Sequence, residues 1–326
     1  TLPALNPHAG EFYSFLGLLC TVYVVCIFLL SGAPRDNVIR TPKEKVHEWL
    51  KFIKSRCLPV GLLFVAVVIV AAVGNVISMP LFRAAAYRDL LTVQTGDFAS
   101  DVAQISFNEI PTLDRTSAEY LGDRQMGTLS DMVSQFEYSG DSTQINYQGR
   151  PVRVAPIAYA DLFKWLTNRS QGLPAYVVVD MVTQEATVTR LPQGMKYSFS
   201  EPLNRNIVRH LRFHYPTMMF STPEFEIDEN GHPWWIAPRV IKTIGLFGGT
   251  DIQGAVLVDA ITGQCQYYKE VPTWVDTLYV PELIMQQYDY HGTLIHGFFN
   301  SLFGQRDVTI TTDGYNYITM NDDVYA

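Results

Sequence analysis

Charged side chains are scarce in this sequence. Only 17% of its 326 residues are Asp, Glu, Lys or Arg, compared with about a quarter in a typical globular protein. The contents of 48% apolar and 13% aromatic residues exclude disorder over most of the length. Four cysteines are too few for a small disulfide-stabilised domain. The net charge of −8 lacks the basic excess of a nucleic-acid-binding chain, so we expect no nucleic-acid partner.

Short motifs for catalysis and cofactor binding are also missing. The chain contains no Gly-x-Ser-x-Gly elbow, no His-Glu-x-x-His and no Cys-x-x-Cys pair. The glycine-rich stretch Lys242–Thr250 lacks the residue order of a phosphate-binding loop, and we interpret it as a plain connecting loop. We therefore expect no cofactor, and a non-catalytic protein is favoured over an enzyme.

Two long uncharged runs account for the low charge content. They are Phe12–Leu30, with 19 residues, and Leu58–Phe82, with 25. A helix that spans a bilayer needs about 20 mainly apolar residues. Buried core helices are the alternative, but such runs in soluble proteins seldom lack all charge. A signal peptide explains the first run poorly, because no basic segment precedes it and a second span follows. Residues 1–82 are thus predicted to be a membrane anchor.

The segment between the two runs is basic. Residues 31–57 hold seven basic and three acidic side chains, a balance of 7 − 3 = +4. Short positive loops stay in the cytoplasm, so we expect both the N-terminal stub and everything after Pro80 on the outer face of the cell membrane. Helical spacing after Thr41-Pro42 predicts a short membrane-surface helix, with a docking face for a cytoplasmic partner as the alternative. The basic side chains expected on the lipid surface are Lys43, Lys45, Lys51, Lys54 and Arg56.

The rest of the chain contains an internal repeat. Residues 145–156 match 227–238 at an offset of 82, and residues 177–185 match 256–264 at an offset of 79. Each match predicts antiparallel strands joined by tight turns, such as those at Gly149 and Gly231. Helices are expected before them, over about Thr116–Phe136 and Glu201–Tyr215. The predicted divisions are a connector (83–115), unit 1 (116–195), unit 2 (196–278) and the start of unit 3 (279–326).

The third unit is expected to be cut short. Residues 310–318 align with 227–235 at an offset of 83, and Asp313-Gly314 predicts another hairpin turn, but the given sequence stops at Ala326. We expect either that the biological chain continues or that a partner completes the sheet, because an unpaired sheet edge invites association. Small residues in the second apolar run offer a second route to an oligomer, through close helix packing. They are Gly61, Ala66, Ala71, Ala72, Gly74 and Ser78.

The repeat motifs resemble PepSY-type repeats. The segments Pro233-Trp-Trp-Ile236 and Val258-Asp-Ala-Ile-Thr-Gly263 carry the likeness, which covers about residues 143–191 and 225–270. Unit 1 departs from the pattern, because Gln184 replaces the turn glycine and Val152-Arg153 replaces the tryptophans. The whole chain also resembles membrane-anchored envelope proteins of Gram-positive bacteria. The resemblance implies an α+β fold and a non-catalytic module that binds or restrains an envelope protein, sometimes a peptidase.

Aromatic side chains are the main candidates for ligand contact. Trp234 and Trp235 are consecutive on a predicted strand and must point to opposite faces. An exposed strip could hold a peptide or a glycan, whereas the alternative is that another element covers the second face. The residues of this predicted strip are Trp234, Trp235, Trp274, Tyr315 and Tyr317.

Histidines and acidic residues supply weaker candidates. His210 and His214 share one helical face, as metal ligands do, but no third ligand is near in sequence, so we expect no metal. One acidic group comprises Glu224, Glu226, Asp228 and Glu229, and another comprises Asn321, Asp322 and Asp323. Solvated charge is the favoured interpretation. An envelope hydrolase that uses these carboxylates, or a subunit of a larger membrane assembly, are the alternative functions.

Overall fold

The computed structural model describes residues 2–31, 42–101, 104, 106, 110–312, 318–320 and 323–325. Its first two helices are α1 (Gly10–Ser31) and α2 (Pro42–Ile77), which pack against each other. Each contains a stretch long and apolar enough to cross a bilayer, and that stretch is almost wholly exposed. The two predicted apolar helices are therefore confirmed, and we refer to them as the spans.

The bounds of the second span differ from the prediction. The basic helix and the apolar run form one continuous helix that begins at Pro42 and includes Pro59. It ends at Ile77 and not at Phe82, since Met79 is extended (φ −68°, ψ 142°) and a new helix, α3 (Pro80–Arg88), starts at Pro80. The residue before a proline is disfavoured in helical conformation, which explains the break.

An antiparallel five-stranded sheet follows, and the fold is α+β as predicted. Its strand order is β1-β3-β4-β5, with β2 also paired to β3. The helix before it ends at Gly127, so the prediction that it reaches Phe136 was wrong; Phe136 instead pairs with Tyr159 in the sheet. The elements are α4 (Phe98–Asp101), α5 (Arg115–Gly127), β1 (Phe136–Tyr138), β2 (Thr143–Tyr147), β3 (Arg150–Tyr159), α6 (Leu162–Asn168), β4 (Leu173–Asp180) and β5 (Ala186–Met195).

A second antiparallel sheet has the same topology. Its order is β6-β8-β9-β10, with β7 also paired to β8. Before it lies a short helix, which begins at Ile207 and is preceded by one 3₁₀ turn, where the prediction had a helix from Glu201. The elements are the 3₁₀ turn Leu203–Arg205, α7 (Ile207–His214), β6 (Met219–Phe220), β7 (Glu224–Ile227), β8 (Pro233–Ile244), β9 (Gly248–Asp259) and β10 (Cys265–Tyr268).

Equivalent turns occur in the two sheets. Asp180 accepts hydrogen bonds from the N–H groups of Val182 and Thr183, and Asp259 accepts from those of Ile261 and Thr262. Both turns then place a residue in the left-handed region, Gln184 at φ 64° and Gly263 at φ 77°. The Asp-x-x-Thr pattern therefore forms the turn that the sequence predicted.

One hydrophobic core joins the two sheets. Trp235 and Phe225 of the second sheet belong to the same buried cluster as Val154 and Val177 of the first. The Tyr176 hydroxyl also donates to the Gly231 carbonyl across the sheets, at 2.9 Å. The remaining elements are α8 (Pro281–Thr293), a π-helical turn (Asn300–Gly304), β11 (Ile318–Met320) and β12 (Asp323–Tyr325).

Candidate functional site

The glycine-rich stretch Lys242–Thr250 forms the tip of a long β-hairpin. Strands β8 and β9 continue until Ile244 pairs with Gly248, and only three residues turn the chain. Gly245 and Gly249 both have φ 62°, which glycine adopts at no steric cost. The prediction of a plain connecting loop was therefore wrong, because glycines that suit a loop also suit a tight hairpin turn.

This hairpin tip is hydrogen-bonded to the end of α2. The Ser78 hydroxyl oxygen accepts from the N–H groups of Leu246 and Phe247, at 2.9 and 3.0 Å. The same hydroxyl donates to the Gly74 carbonyl at 2.6 Å, and the Tyr87 hydroxyl donates to the Ser78 carbonyl at 2.5 Å. Ser78 is buried, so these bonds are shielded from water. We call Gly74, Ser78, Leu246 and Phe247 the span junction.

Small side chains on α2 make this contact possible. A β-carbon on Gly74 would lie 2.5 Å from Leu246 Cδ2, closer than atoms can approach. Gly74 and Ser78 belong to the set of small residues predicted to pack against other membrane helices. In the structure they instead receive the hairpin of the same chain.

The N-terminal stub is fixed to the same globular part. The N–H of Leu5 donates to the Pro216 carbonyl at 2.8 Å, and the Asn6 amide donates to the Thr217 carbonyl at 2.9 Å. Arg212 forms an ion pair with Glu11 at 3.5 Å, in the first turn of α1. The start of α1 and the end of α2 therefore lie on the same side of the helix pair.

A cavity of about 450 Å³ lies between the spans and the hairpin. Lys242 enters it from β8 and donates to the Thr250 hydroxyl at 2.6 Å. Burial lowers the pKa of the Lys242 ammonium, because the charged form loses hydration. His8 Nδ1 lies 2.8 Å from the Leu246 carbonyl oxygen, so this nitrogen carries the proton and donates. The lining residues are His8, Gly10, Tyr13, Ser14, Ala71, Asn75, Lys242 and Phe247.

The predicted aromatic strip is divided by the structure. Trp235 is fully buried in the shared core, and its Nε1 donates to the Tyr197 carbonyl at 2.8 Å. Trp234 faces the other side, where its ring lies 6.0 Å from that of Trp274 and residues 271–278 cover the sheet. Trp235 is therefore not available at the surface. Tyr315 and Tyr317 lie outside the described residues.

The two histidines meet a third group that sequence spacing missed. One atom each of His210, His214 and Cys265 lie within 4.8 Å of one another. His210 Nε2 contacts the Gly263 carbonyl at 2.7 Å, and His214 Nδ1 contacts the His210 carbonyl at 2.9 Å. Burial raises the pKa of the Cys265 thiol to about 11 and lowers that of His210. The cluster could hold a soft cation such as Zn²⁺ only by ionising Cys265, which burial opposes.

The first acidic group is partly buried, so the interpretation as solvated charge was wrong for two of its members. Glu226 is fully buried, and burial raises its pKa to about 7. It accepts from the N–H groups of Asp276 and Thr277, at 3.1 and 2.9 Å, and from the Thr277 hydroxyl. Burial also raises the pKa of Glu224, which accepts from the Thr143 hydroxyl at 3.1 Å. These carboxylates tie β7 to neighbouring segments.

The other predicted residues fall in two places. Lys51, Lys54 and Arg56 are exposed on α2. The side chains of Lys43 and Lys45, and those of the acidic group at residues 321–323, lie outside the part of the chain that the structure describes.

Comparison with known proteins identifies no relative: no family model matches the chain, and neither the curated proteins nor the solved structures give a match. The resemblance to PepSY-type repeats therefore depends on the quoted residues alone.

Proposed function

We propose that the chain is a membrane-anchored, non-catalytic module that binds or regulates another protein of the cell envelope. The observation that carries this proposal is the span junction. Because Ser78 accepts from both Leu246 and Phe247, the globular part is held against the spans and not on a flexible tether. A module fixed in this way presents a constant surface at the membrane, which suits recognition of a partner in the same membrane.

The equivalence of the two sheets supports a tandem, PepSY-like architecture within this proposal. Both sheets share one strand order, and both contain the Asp-x-x-Thr turn at Asp180 and at Asp259. The units also differ, because helix α6 joins β3 to β4 in the first sheet, whereas the hairpin tip joins β8 to β9 in the second. In this proposal unit 2 attaches the module to the spans.

The hydrogen bonds of the buried carboxylates favour a binding module over an acidic hydrolase. Both oxygens of Glu226 accept from residues 276 and 277. Glu201, also buried, accepts from the Tyr159 hydroxyl and the Trp165 indole, both at 2.8 Å. A general acid must reach its substrate, whereas these groups stabilise the fold.

The proposed orientation places the globular part outside the cell and the basic end of α2 inside. Single cysteines at Lys51 and at Lys269, both exposed positions, test it in a background without native cysteines. A membrane-impermeant maleimide should label Lys269→Cys in intact cells and Lys51→Cys only after permeabilisation. The reverse pattern would place the globular part in the cytoplasm and contradict the proposal.

Partner binding is tested by photo-crosslinking in intact cells. Phe163, Tyr120 and Lys269 are exposed, the first two at 75% and 69%, and each can carry a photoreactive side chain. We expect a discrete product with one envelope protein from at least one position. The absence of a crosslinked product at all three positions would count against the proposal. So would hydrolysis of peptide or glycan substrates by the wild type, if the Glu224→Gln variant lacked that activity.

A further inference from the structure

We propose that the cavity at the span junction binds a phosphate-bearing anion at the membrane surface, with Lys242 as its charged contact. The inference uses the membrane-spanning part of the proposed function and adds a ligand to it. The anion site does not depend on the protein partner.

The cavity lies at the depth of the lipid headgroups. Its helical lining residues come from the first turns of α1, at Gly10 to Ser14, and from the last turns of α2, at Ala71 and Asn75. The hydrocarbon core of a bilayer accommodates about 20 helical residues, and α1 has 22 residues from Gly10 onward. Its first turn therefore lies where phosphate groups are found, with the apolar surfaces of both spans below it to accept acyl chains.

Lys242 supplies a positive charge that the surrounding protein does not neutralise. Its hydrogen-bond partner is the neutral Thr250 hydroxyl. Within the described ranges, no carboxylate lies within ion-pair distance of its ammonium group. A half-buried cation that has lost hydration gains free energy when an anion binds beside it.

Further groups around Lys242 suit an oxyanion. Because His8 Nδ1–H donates to the Leu246 carbonyl, the ring is held in one orientation in the cavity lining. Tyr13 and Ser14 bring hydroxyl groups to the lining. The N-terminus of α1, whose first turn also carries Glu11, brings the positive end of a 22-residue helix dipole to the lining at Gly10. These groups converge on one cavity from both spans and from the hairpin.

The experiment measures the binding of phosphatidylglycerol, phosphatidylcholine and inorganic phosphate to the full chain in neutral detergent, by native mass spectrometry and calorimetry. We expect phosphatidylglycerol to bind, and Lys242→Met to weaken that binding about tenfold, as the loss of one charge-assisted hydrogen bond would. Lys242→Arg should restore binding. Lys269→Met, which removes an exposed lysine elsewhere, should leave it unchanged.

Comparing the three ligands distinguishes a lipid headgroup from free phosphate. Lys242-dependent binding of phosphatidylglycerol but not of inorganic phosphate identifies a lipid headgroup, and Lys242-dependent binding of both identifies a general phosphate site. Equal binding of every ligand by the wild type and Lys242→Met would overturn the inference, provided that the two proteins melt at the same temperature. If Lys242→Met melts at a lower temperature than the wild type, the test depends on Lys242→Arg. A stable Lys242→Arg protein that fails to bind the anion would also overturn the inference.

Carbonate extraction of native membranes distinguishes a failure of this inference from a failure of the proposed function. Release of the chain by carbonate contradicts a membrane-spanning anchor. A chain that stays in the membrane but shows no Lys242-dependent binding contradicts only the phosphate site.

Discussion

Gly74 on the second span lies directly against Leu246 at the tip of the β8–β9 hairpin, so closely that a β-carbon would fit only if the Leu246 and Phe247 side chains moved. An added Cβ would be 2.5 Å from Leu246 Cδ2 and 2.8 Å from Phe247 Cε2. A glycine inside a helix lowers helix stability by about 1 kcal/mol relative to alanine. The close contact with the hairpin offsets this local loss.

Gly74→Ala should therefore destabilise the protein although alanine is the better helix former. Overpacking a filled contact costs about 1–3 kcal/mol, which outweighs the gain in helix propensity. Gly61 on the same helix provides the matched control, because a β-carbon added there would have no atom within 4 Å. Thermal unfolding of the full chain in detergent should show a lower Tm for Gly74→Ala and an equal or higher Tm for Gly61→Ala. An unchanged Tm in Gly74→Ala would contradict the described contact.

Ser78→Ala should loosen the hairpin tip. The change leaves the N–H groups of Leu246 and Phe247 without their acceptor, and an unsatisfied buried donor costs about 1–3 kcal/mol. Hydrogen exchange followed by mass spectrometry should show faster exchange of the amides at residues 244–248. Ser55→Ala, which removes an exposed hydroxyl bonded to the Phe52 carbonyl, should leave the exchange of residues 244–248 unchanged. Identical exchange in the two variants would rule out the role given to Ser78.

The Glu226 carboxyl should make stability fall as the pH rises. Burial raises its pKa in the folded protein to about 7, above the ordinary value of 4.5. The folded state then holds this proton more tightly than the unfolded state does, so the contribution is complete below the unfolded pKa and is lost as the pH rises through about 7. The difference amounts to roughly 3 kcal/mol, since one pKa unit corresponds to about 1.4 kcal/mol.

The measurement compares the free energies of unfolding of the wild type and Glu226→Gln at about pH 5 and about pH 8. The wild type should lose more stability between these values than the variant, in which residue 226 does not titrate. Glu229→Gln, at an exposed position, should follow the wild type. A variant with the same pH slope as the wild type would show that Glu226 is ionised in the folded state.

Exchanging the equivalent turn residues Gln184 and Gly263 should have opposite effects. Gln184 adopts φ 64°, a conformation that costs a residue with a β-carbon about 1–2 kcal/mol, so Gln184→Gly should stabilise the first sheet slightly. Gly263→Gln should destabilise strongly, because its Cβ would lie 2.2 Å from the Tyr197 ring. Urea denaturation of both variants measures the sign of each change in the free energy of unfolding. Stabilisation by Gly263→Gln would show that this turn is not closed as described.

Local features of the fold could be predicted from the sequence. Tight turns depend on a few adjacent residues, so Gln148-Gly149, with φ 53° and 76°, forms the expected two-residue hairpin turn. The two apolar helices followed from composition alone. Strand alternation also placed Trp234 and Trp235 on opposite faces, as found.

Features that depend on distant segments could not be predicted. The burial of Glu226 arises from residues 276 and 277, and alternation along β7 does not say what covers it. Cys265 meets the two histidines only because β10 pairs beside β9, next to α7. The contact between the hairpin tip and Ser78 also leaves no local pattern in the sequence, because the two segments lie far apart along the chain.

Strand β8 also has a mechanical consequence. It extends from Trp235 in the core to Ile244 at the span junction, roughly 30 Å at about 3.3 Å per residue. Tension between α2 and the core would run along the two covalent backbones of the hairpin, which do not stretch. At the far end of that line the hairpin tip is held by the two hydrogen bonds to Ser78. Movement of α2 would therefore be transmitted along β8 to the shared core for as long as the bonds to Ser78 hold.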